Sequence, residues 1–210
     1  MVIDRTAIGI FETGKDLYLE VAGALLGRPP AHCQKYRKLA KEIVLGLNNG
    51  RSAYSICDQL EKMGFHYDVD DIQGFILRYN MLFDGIKRWR EDIAESGKRS
   101  GLLATRLGRT LKVSSNANEN SLCNFPVQAT AADGFKRALV LIDEKLRGVD
   151  AQVVHILHDE VIVEAREDIA EWVALTVKKS MEEGFKNFLP EVLFHVEPAI
   201  RDTWKVSQEQ

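Results

Sequence analysis

The sequence has little cysteine and no long run of apolar residues. Its three cysteines, Cys33, Cys57 and Cys123, are odd in number, lie far apart and form no Cys-x-x-Cys pair. This pattern argues against a disulfide framework and against a structural zinc site. No apolar run approaches the ~20 residues that span a bilayer, and the first residues do not resemble a secretory leader. We therefore expect a cytoplasmic protein with no membrane partner.

The chain also lacks an excess of charge of one sign, with 28 Lys and Arg against 31 Asp and Glu. This balance excludes the uniformly basic surface of a simple nucleic-acid coat protein. Basic residues are nevertheless concentrated in two segments. Residues 28–41 carry six, counting His32, and no acid, while residues 87–112 carry eight against three acids. Each segment could bind anions or form a solvated helix face, and charge alone leaves both open.

Hydrophobic periodicity predicts many helices and a small sheet late in the sequence. A length of 210 residues supports one sizeable core or two small lobes. Because helices precede the strands instead of alternating with them, the predicted fold class is α+β. We predict helices over residues 11–27, 31–50, 52–63, 68–97 (kinked at Gly85), 126–147 and 167–188, a strand–turn–strand segment over 102–113, a polar loop over 114–121, and strands over 153–157, 161–165 and 192–200.

Residues 153–165, with the sequence VVHILHDEVIVEA, carry the clearest candidate for chemistry. Two apolar runs are separated by His158, Asp159 and Glu160, which predicts a tight β-hairpin with both carboxylates at its tip. Hard oxygen ligands on a rigid turn suit Mg²⁺, which takes one or two protein carboxylates together with substrate phosphates. An ordinary hairpin with a charged tip explains the same residues.

A second candidate is the stripe formed by Arg37, Lys41, Leu45 and Asn49. Four residues turn a helix by about 400°, so each side chain drifts only about 40° from the one before and all four share a face. Arg37 and Lys41 are separated by about 6 Å along the axis, a spacing that suits the phosphates of a triphosphate. A surface helix whose basic face meets water is the alternative.

A third candidate is a pair of amide side chains around Pro126. Asn124 and Gln128 flank this proline, which we predict at the first position of a helix, where proline is favoured. Amides can read base edges or sugars because each offers donors and an acceptor. As an alternative, Asn124 caps the helix.

In this order, the candidates resemble the motifs of the family A DNA polymerases of the bacterial polymerase I and phage replicative type. The fingers motif Arg-x3-Lys-x3-aromatic-Gly-x2-Tyr-Gly resembles residues 37–50, and the palm motif His-Asp-Glu is identical to residues 158–160. The resemblance covers residues 11–204. It also includes the stretches FETGKDLYLEVAGALLG at 11–27, TRLGRTLKV at 105–113, NFPVQATAAD at 124–133 and FHVEPAIRDTW at 194–204.

The resemblance implies a fold of fingers helices plus a partial antiparallel palm sheet with flanking helices. Residues 1–100 are fingers-like and residues 101–210 are palm-like. The implied activity is template-directed 5′–3′ DNA synthesis, in which two Mg²⁺ ions assist attack of a primer 3′-hydroxyl on a dNTP, in a bacterial or phage-infected cytoplasm. The implied roles are catalysis by His158, Asp159 (the metal ligand) and Glu160, dNTP binding by Tyr18, Arg37, Lys41, Leu45 and Asn49, and DNA binding by Arg109, Asn124 and Gln128.

The chain departs from the family pattern in several places. The first palm motif, Asp-Tyr-Ser-Gln-Ile-Glu-Leu-Arg, which supplies the other metal-binding aspartate, is absent from the sequence, and neither the spacing nor the neighbours of Asp4 fit it. Leu45 replaces the aromatic residue that packs on the incoming nucleotide in the family, Asn49 replaces the tyrosine beside the templating base, and Asn120 replaces an arginine. We therefore expect a second polypeptide to carry the first palm motif and the thumb. The alternative is an inactive remnant that binds DNA without catalysis.

Overall fold

Helices with two small antiparallel sheets make up the structure, a computed structural model that describes residues 4–186, 188–192 and 194–204. The predicted α+β class is confirmed. The chain forms two compact units, Met1–Val127 and Gln128–Gln210; the predicted division into fingers-like and palm-like regions at residue 100 stays a prediction. The elements are α1 (Arg5–Glu12), α2 (Leu17–Leu26), α3 (Arg37–Asn48), α4 (Ala53–Lys62), α5 (Val69–Leu82), α6 (Asp84–Ser100), β1 (Leu102–Ala104), β2 (Thr110–Lys112), α7 (Glu119–Leu146), β3 (Ala151–Leu157), β4 (Glu160–Ala165) and α8 (Ala170–Lys186).

The core of the first unit is built by apolar side chains at helical spacing on α2, α3, α4 and α5. On α3, for example, Leu39, Ala40, Ile43 and Val44 point inward. Full burial of one such large side chain contributes about 1.5–3 kcal/mol, which gives this amphipathic pattern the energy to orient each helix. The fully buried large apolar residues of this core are Val21, Leu25, Leu39, Ile43, Ile56, Leu60, Ile72 and Phe83.

The predicted helix over residues 11–27 is two helices. α1 ends at Glu12, and Gly14 adopts a left-handed backbone with φ of 65°. Asp16 then caps α2 by accepting the N–H groups of Tyr18 and Leu19. A glycine favours the end of one helix, and an aspartate two residues later favours the start of the next. These two signals outweigh the apolar periodicity that continues through residues 11–27.

Two further predicted helices have different limits in the structure. The helix predicted over residues 31–50 begins only at Arg37, because 3₁₀ turns at Pro30–His32 and Gln34–Tyr36 precede it. The stretch predicted over 68–97 breaks at Phe83 instead of Gly85. Phe83 is buried and its ring packs edge-on against Tyr79, 5.1 Å between centroids. Burial of this ring accompanies the break in the helix.

Helix α7 begins earlier than predicted, and Pro126 lies inside it. The prediction of Pro126 at the first helical position is therefore wrong, and Asn124 is not a cap. Asn118 starts the helix instead, since its side-chain oxygen accepts the N–H of Asn120 at 2.9 Å. Leu122 is buried just before the proline, so packing holds a helical turn that local proline chemistry disfavours.

Both predicted hairpins are present. β1 pairs with β2 so that Leu103 faces Leu111, and Gly108 in the connecting loop has a φ of 82°. In the second unit β3 pairs with β4 so that Leu157 faces Glu160. The side chains of β4 pack on a small cluster built around Ile142, Leu146 and Val173.

The predicted closing strand over residues 192–200 is not observed among its described residues, 192 and 194–200, and residue 193 lies outside the description. Phe194 instead stacks on Phe185 of α8, with 4.3 Å between ring centroids. Across the described ranges, no helix has both the length and the apolar character required to cross a membrane.

Candidate functional site

The tip of the β3–β4 hairpin presents three polar side chains to solvent. His158 and Asp159 form a two-residue turn, and Glu160 is the first residue of β4. All three are exposed. Neither carboxylate contacts a cation among the described residues. The predicted hairpin with carboxylates at its end is therefore correct, with a turn one residue shorter than predicted.

His158 holds an unusual backbone conformation at this tip. Its φ is 54°, and among the described residues it alone is a non-glycine with positive φ. A side chain in the left-handed region is disfavoured, although histidine tolerates it better than most residues. Two-residue hairpins favour turn types with a positive φ at the first central residue, which is the position of His158. The geometry of the turn therefore accounts for this conformation.

The strands beneath the tip differ in their surroundings. Val161, Val163 and Ala165 of β4 pack against the helical cluster of the second unit and make the hairpin rigid. Large apolar residues of β3, among them Val154 and Ile156, are exposed. The register is irregular between Val153 and His155, as in a β-bulge, a feature that often lies beside active sites.

Asp159 and Glu160 fit part of a magnesium site. Mg²⁺ is commonly held by one or two carboxylates together with substrate phosphates, and these two are exposed at the end of a rigid hairpin. Within the described ranges, no group of three or more His, Cys, Asp and Glu is arranged to hold a metal. A two-metal site would need further carboxylates beside these two.

In the first unit, Asp16, Tyr18 and Arg37 form a compact group. Arg37 donates from Nε to Oδ2 of Asp16 at 2.7 Å, and its guanidinium lies 5.1 Å from the ring centre of Tyr18. Burial alone would raise the pKa of Asp16, but the hydrogen bond from Arg37 and the N–H groups of Leu19 and Tyr18 together lower it. The structure thus brings together two of the predicted dNTP-binding residues, held by a carboxylate to which sequence reasoning gave no role.

The remaining residues of the basic stripe lie on the solvent side of α3. Lys41 and Leu45 are exposed, opposite the buried face of the helix. Asn49 is also exposed but follows the last helical residue as the C-cap. The predicted shared face is correct for Lys41 and Leu45, whereas Arg37 turns partly inward towards Asp16 and Asn49 lies beyond the helix.

The three predicted DNA-binding residues lie on two elements. Asn124 is half-buried and Gln128 exposed, one turn apart on α7. Arg109 is exposed in the β1–β2 loop, where its N–H donates to Oγ1 of Thr105 at 3.1 Å.

Asp4, the candidate rejected on sequence grounds as a metal ligand, has a structural task. It is buried and caps α1 through the N–H of Ala7 at 3.0 Å. Its second oxygen accepts the N–H of Ile86 at 3.3 Å. A carboxylate that is used in this way ties α1 to α6 and is not available to an ion.

Residues 1–206 match the family model for DNA polymerase family A. The chain therefore belongs to this family, as its motifs indicated.

Individual relatives agree with this assignment. The chain is 33% identical over 210 residues to DNA polymerase I of Aquifex aeolicus, covering 97% of this chain and 36% of that protein. It is 32% identical over 216 residues to the thermostable DNA polymerase I of Thermus aquaticus, covering 98% of this chain and 25% of that protein. The chain thus spans only a quarter to about a third of the relatives' length.

A solved structure is also similar. The POL domain of Pol1 from M. smegmatis, in complex with DNA primer-template and dNTP, has a TM-score of 0.77 and 26% sequence identity. The match covers 86% of this chain and 33% of that one.

Proposed function

We propose that this chain carries the nucleotide-binding helix and one catalytic hairpin of a DNA polymerase that adds dNTPs to a primer 3′-hydroxyl. The observation that carries the proposal is the exposed His158–Asp159–Glu160 tip on a rigid hairpin in a family A chain. The primer-template and dNTP named for the M. smegmatis structure support the same substrates here.

In this proposal the cations on and beside α3 bind the triphosphate. Lys41 is exposed and pairs with no carboxylate among the described residues. Arg37 uses Nε on Asp16, which leaves its remaining N–H donors for phosphate oxygens, since a guanidinium carries five. Asp16 therefore orients Arg37, and Tyr18 supports its face. Leu45 and Asn49 continue the same surface towards the sugar and base.

The hairpin tip supplies the groups around the reacting atoms. Asp159 would hold a divalent ion, which when bound stabilises negative charge on the phosphate oxygens. Glu160 orients this site, and His158 contacts the primer end. Asn124, Gln128 and Arg109 contact the primer-template duplex.

We further infer that carboxylates from outside these 210 residues complete the site. Two-metal phosphoryl transfer needs aspartates from two strands, and within the described ranges the tip offers only Asp159 and its neighbour Glu160. In the part of the chain that the structure describes, β3 pairs only with β4, and on β3 the ring of His155 lies 5.2 Å from that of Trp204. A strand edge with exposed valine and isoleucine accepts another strand.

A cytoplasmic location belongs to the same proposal. Cys33, Cys57 and Cys123 are free thiols, which fits a reducing compartment.

Primer extension tests the proposed function. The purified chain is assayed alone and with a polypeptide that carries the first palm motif and thumb of a family A polymerase. We expect extension only in the mixture. DNA binding without extension in either case would favour the alternative of a non-catalytic DNA-binding protein, and neither binding nor extension would contradict both.

A further inference from the structure

The C-terminal end of α3 closes in a Schellman motif. Gly50 has a φ of 72°, its N–H donates to the carbonyl of Leu47, and the N–H of Arg51 donates to the carbonyl of Gly46. This arrangement satisfies the carbonyls of the last turn. It leaves two later carbonyls, on either side of Asn49, that the motif does not use.

Side chains from α6 and α7 hold these two carbonyls. Arg90 donates from one guanidinium nitrogen to the carbonyl of Asn48 at 2.9 Å and from the other to Oδ1 of Asn120 at 3.2 Å. The amide nitrogen of Asn120 donates to the carbonyl of Gly50 at 3.0 Å. Arg90 and Asn120, here called the α3 clamp, thus form a continuous chain of hydrogen bonds around Asn49.

Two further contacts reinforce the α3 clamp. The hydroxyl of Tyr79 donates to Oδ1 of Asn48 at 3.1 Å. Burial raises the pKa of Tyr79 to about 12, which keeps the hydroxyl protonated. Asn120 also approaches the backbone so closely that a Cβ on Gly50 would lie 1.9 Å from its Cγ. Glycine is therefore required here by both its φ and the presence of Asn120.

Capping alone does not explain the α3 clamp. Its residues line an open cleft of about 640 Å³, where water could satisfy the same carbonyls. Side-chain donors satisfy these carbonyls and also fix the position of the backbone that carries them, whereas water would only satisfy them. The residue whose position they fix is Asn49, which is exposed and flanked by the two held carbonyls.

We propose that Arg90 and Asn120 are positioning residues that hold Asn49 against the templating base. This inference rests on the proposed DNA synthesis, because Asn49 is the predicted neighbour of that base. Loosening the α3 clamp lowers discrimination between matched and mismatched dNTPs while leaving triphosphate binding by Lys41 in place.

The test combines amide hydrogen exchange on the full chain with single-nucleotide incorporation by the extension-competent mixture. Arg90→Ala removes both guanidinium contacts, and Arg88→Ala on the same helix is the control, since Arg88 pairs with Asp84 at the surface. Asn120→Asp keeps the side-chain shape and the contact with Arg90 but cannot donate to Gly50 when ionised. Arg90→Lys keeps the positive charge but loses the guanidinium geometry that lets Arg90 donate to two acceptors at once.

We expect Arg90→Ala, which loses two hydrogen bonds from a charged donor, to speed exchange at Gly50 and Arg51 about tenfold or more, and Asn120→Asp, which loses one from a neutral donor, to speed it about tenfold or less. Both should reduce the ratio of matched to mismatched kcat/KM by a similar factor, with Arg90→Lys intermediate and Arg88→Ala unchanged. Unchanged exchange, or an equal loss for matched and mismatched dNTPs, would overturn the proposal. If no mixture extends a primer, the proposed function fails and the templating role with it, whereas accelerated exchange would still identify the clamp as a structural cap.

Discussion

Three aspartates of the chain differ in role because their surroundings differ. Asp4 is buried and accepts two backbone N–H groups, so it holds helices together. Asp16 is bound on one oxygen by its own helix and on the other by Arg37, so it orients a cation. Asp159 is exposed and contacts no cation among the described residues. Of the three, Asp159 is open to a metal ion.

Asp159→Asn should abolish primer extension by the mixture and leave DNA binding intact. Loss of a metal ligand raises the barrier by several kcal/mol, a rate loss of about 10³-fold. Asp143→Asn, an exposed aspartate of the same unit paired with Arg147, is the control. More than about a tenth of the wild-type rate at saturating Mg²⁺ would remove Asp159 from the proposed mechanism.

Lys41→Ala should raise the KM for dNTPs about tenfold or more and leave duplex affinity nearly unchanged, because a charge-assisted bond to phosphate is lost. Lys62→Ala is the matched control, as Lys62 is an exposed lysine paired with Asp58. Steady-state kinetics and a DNA-binding titration measure the two effects. Weaker duplex binding with an unchanged KM would make α3 a contact for the DNA backbone instead.

Asp16→Asn should lower the melting temperature at pH 7, although asparagine still caps α2. The pKa of Asp16 is below its usual value of 3.8. Its charge therefore stabilises the fold above that value, and the contribution disappears as the pH falls through the lower, folded-state pKa. Thermal unfolding should show the difference between wild type and variant shrinking below about pH 4. An equal difference at pH 7 and pH 3.5 would refute this account; Asp58→Asn, at a surface pair, should have little effect at either pH.

At the scale of elements, signals within a few neighbouring residues correctly predicted hairpins and helix starts. The β3–β4 hairpin follows from two apolar runs around His158, and α4 begins where Ser52 caps it. The sequence could not reveal that Asn120 reaches Gly50, because the two lie 70 positions apart. It could have revealed Asp16, since Gly14 followed by an aspartate before an apolar run is a helix-start signal. The positive φ of His158 follows from the two-residue hairpin turn, whose length the sequence analysis overestimated by one residue.

The proline in α7 is the element-scale conflict that can be tested directly. Pro126 removes a backbone N–H that would bond to the carbonyl of Leu122, and an interior proline costs about 3 kcal/mol relative to alanine. Pro126→Ala should therefore increase the free energy of unfolding by about 1–3 kcal/mol. Pro198→Ala, outside the helices, is the control and should change it little. A destabilised Pro126→Ala variant in denaturant unfolding would show that packing around α7 requires the proline.

At the scale of the whole molecule, the proposed active site is completed by a strand added at the edge of β3. The chain spans 36% of the Aquifex relative, and within the described ranges its hairpin tip carries two adjacent carboxylates on a two-stranded sheet. A third strand that pairs with β3 would bring its own aspartate near Asp159 and cover the exposed apolar residues. Primer extension then depends on pairing of the added strand with β3. A substitution that prevents this pairing should therefore also prevent extension.

Val154→Lys tests this coupling. Val154 is 47% exposed on β3, and an added lysine on an edge strand disfavours pairing with another strand. We expect the variant to fold, to bind the complementing polypeptide at least about tenfold more weakly, and to lose extension in proportion. Trp172→Lys is matched for exposure, 49% on α8, and should leave both intact. Extension by the lone purified chain that is insensitive to Val154→Lys but lost in a folded Asp4→Asn variant would show that the first metal ligand lies within this chain and that no strand is added at β3.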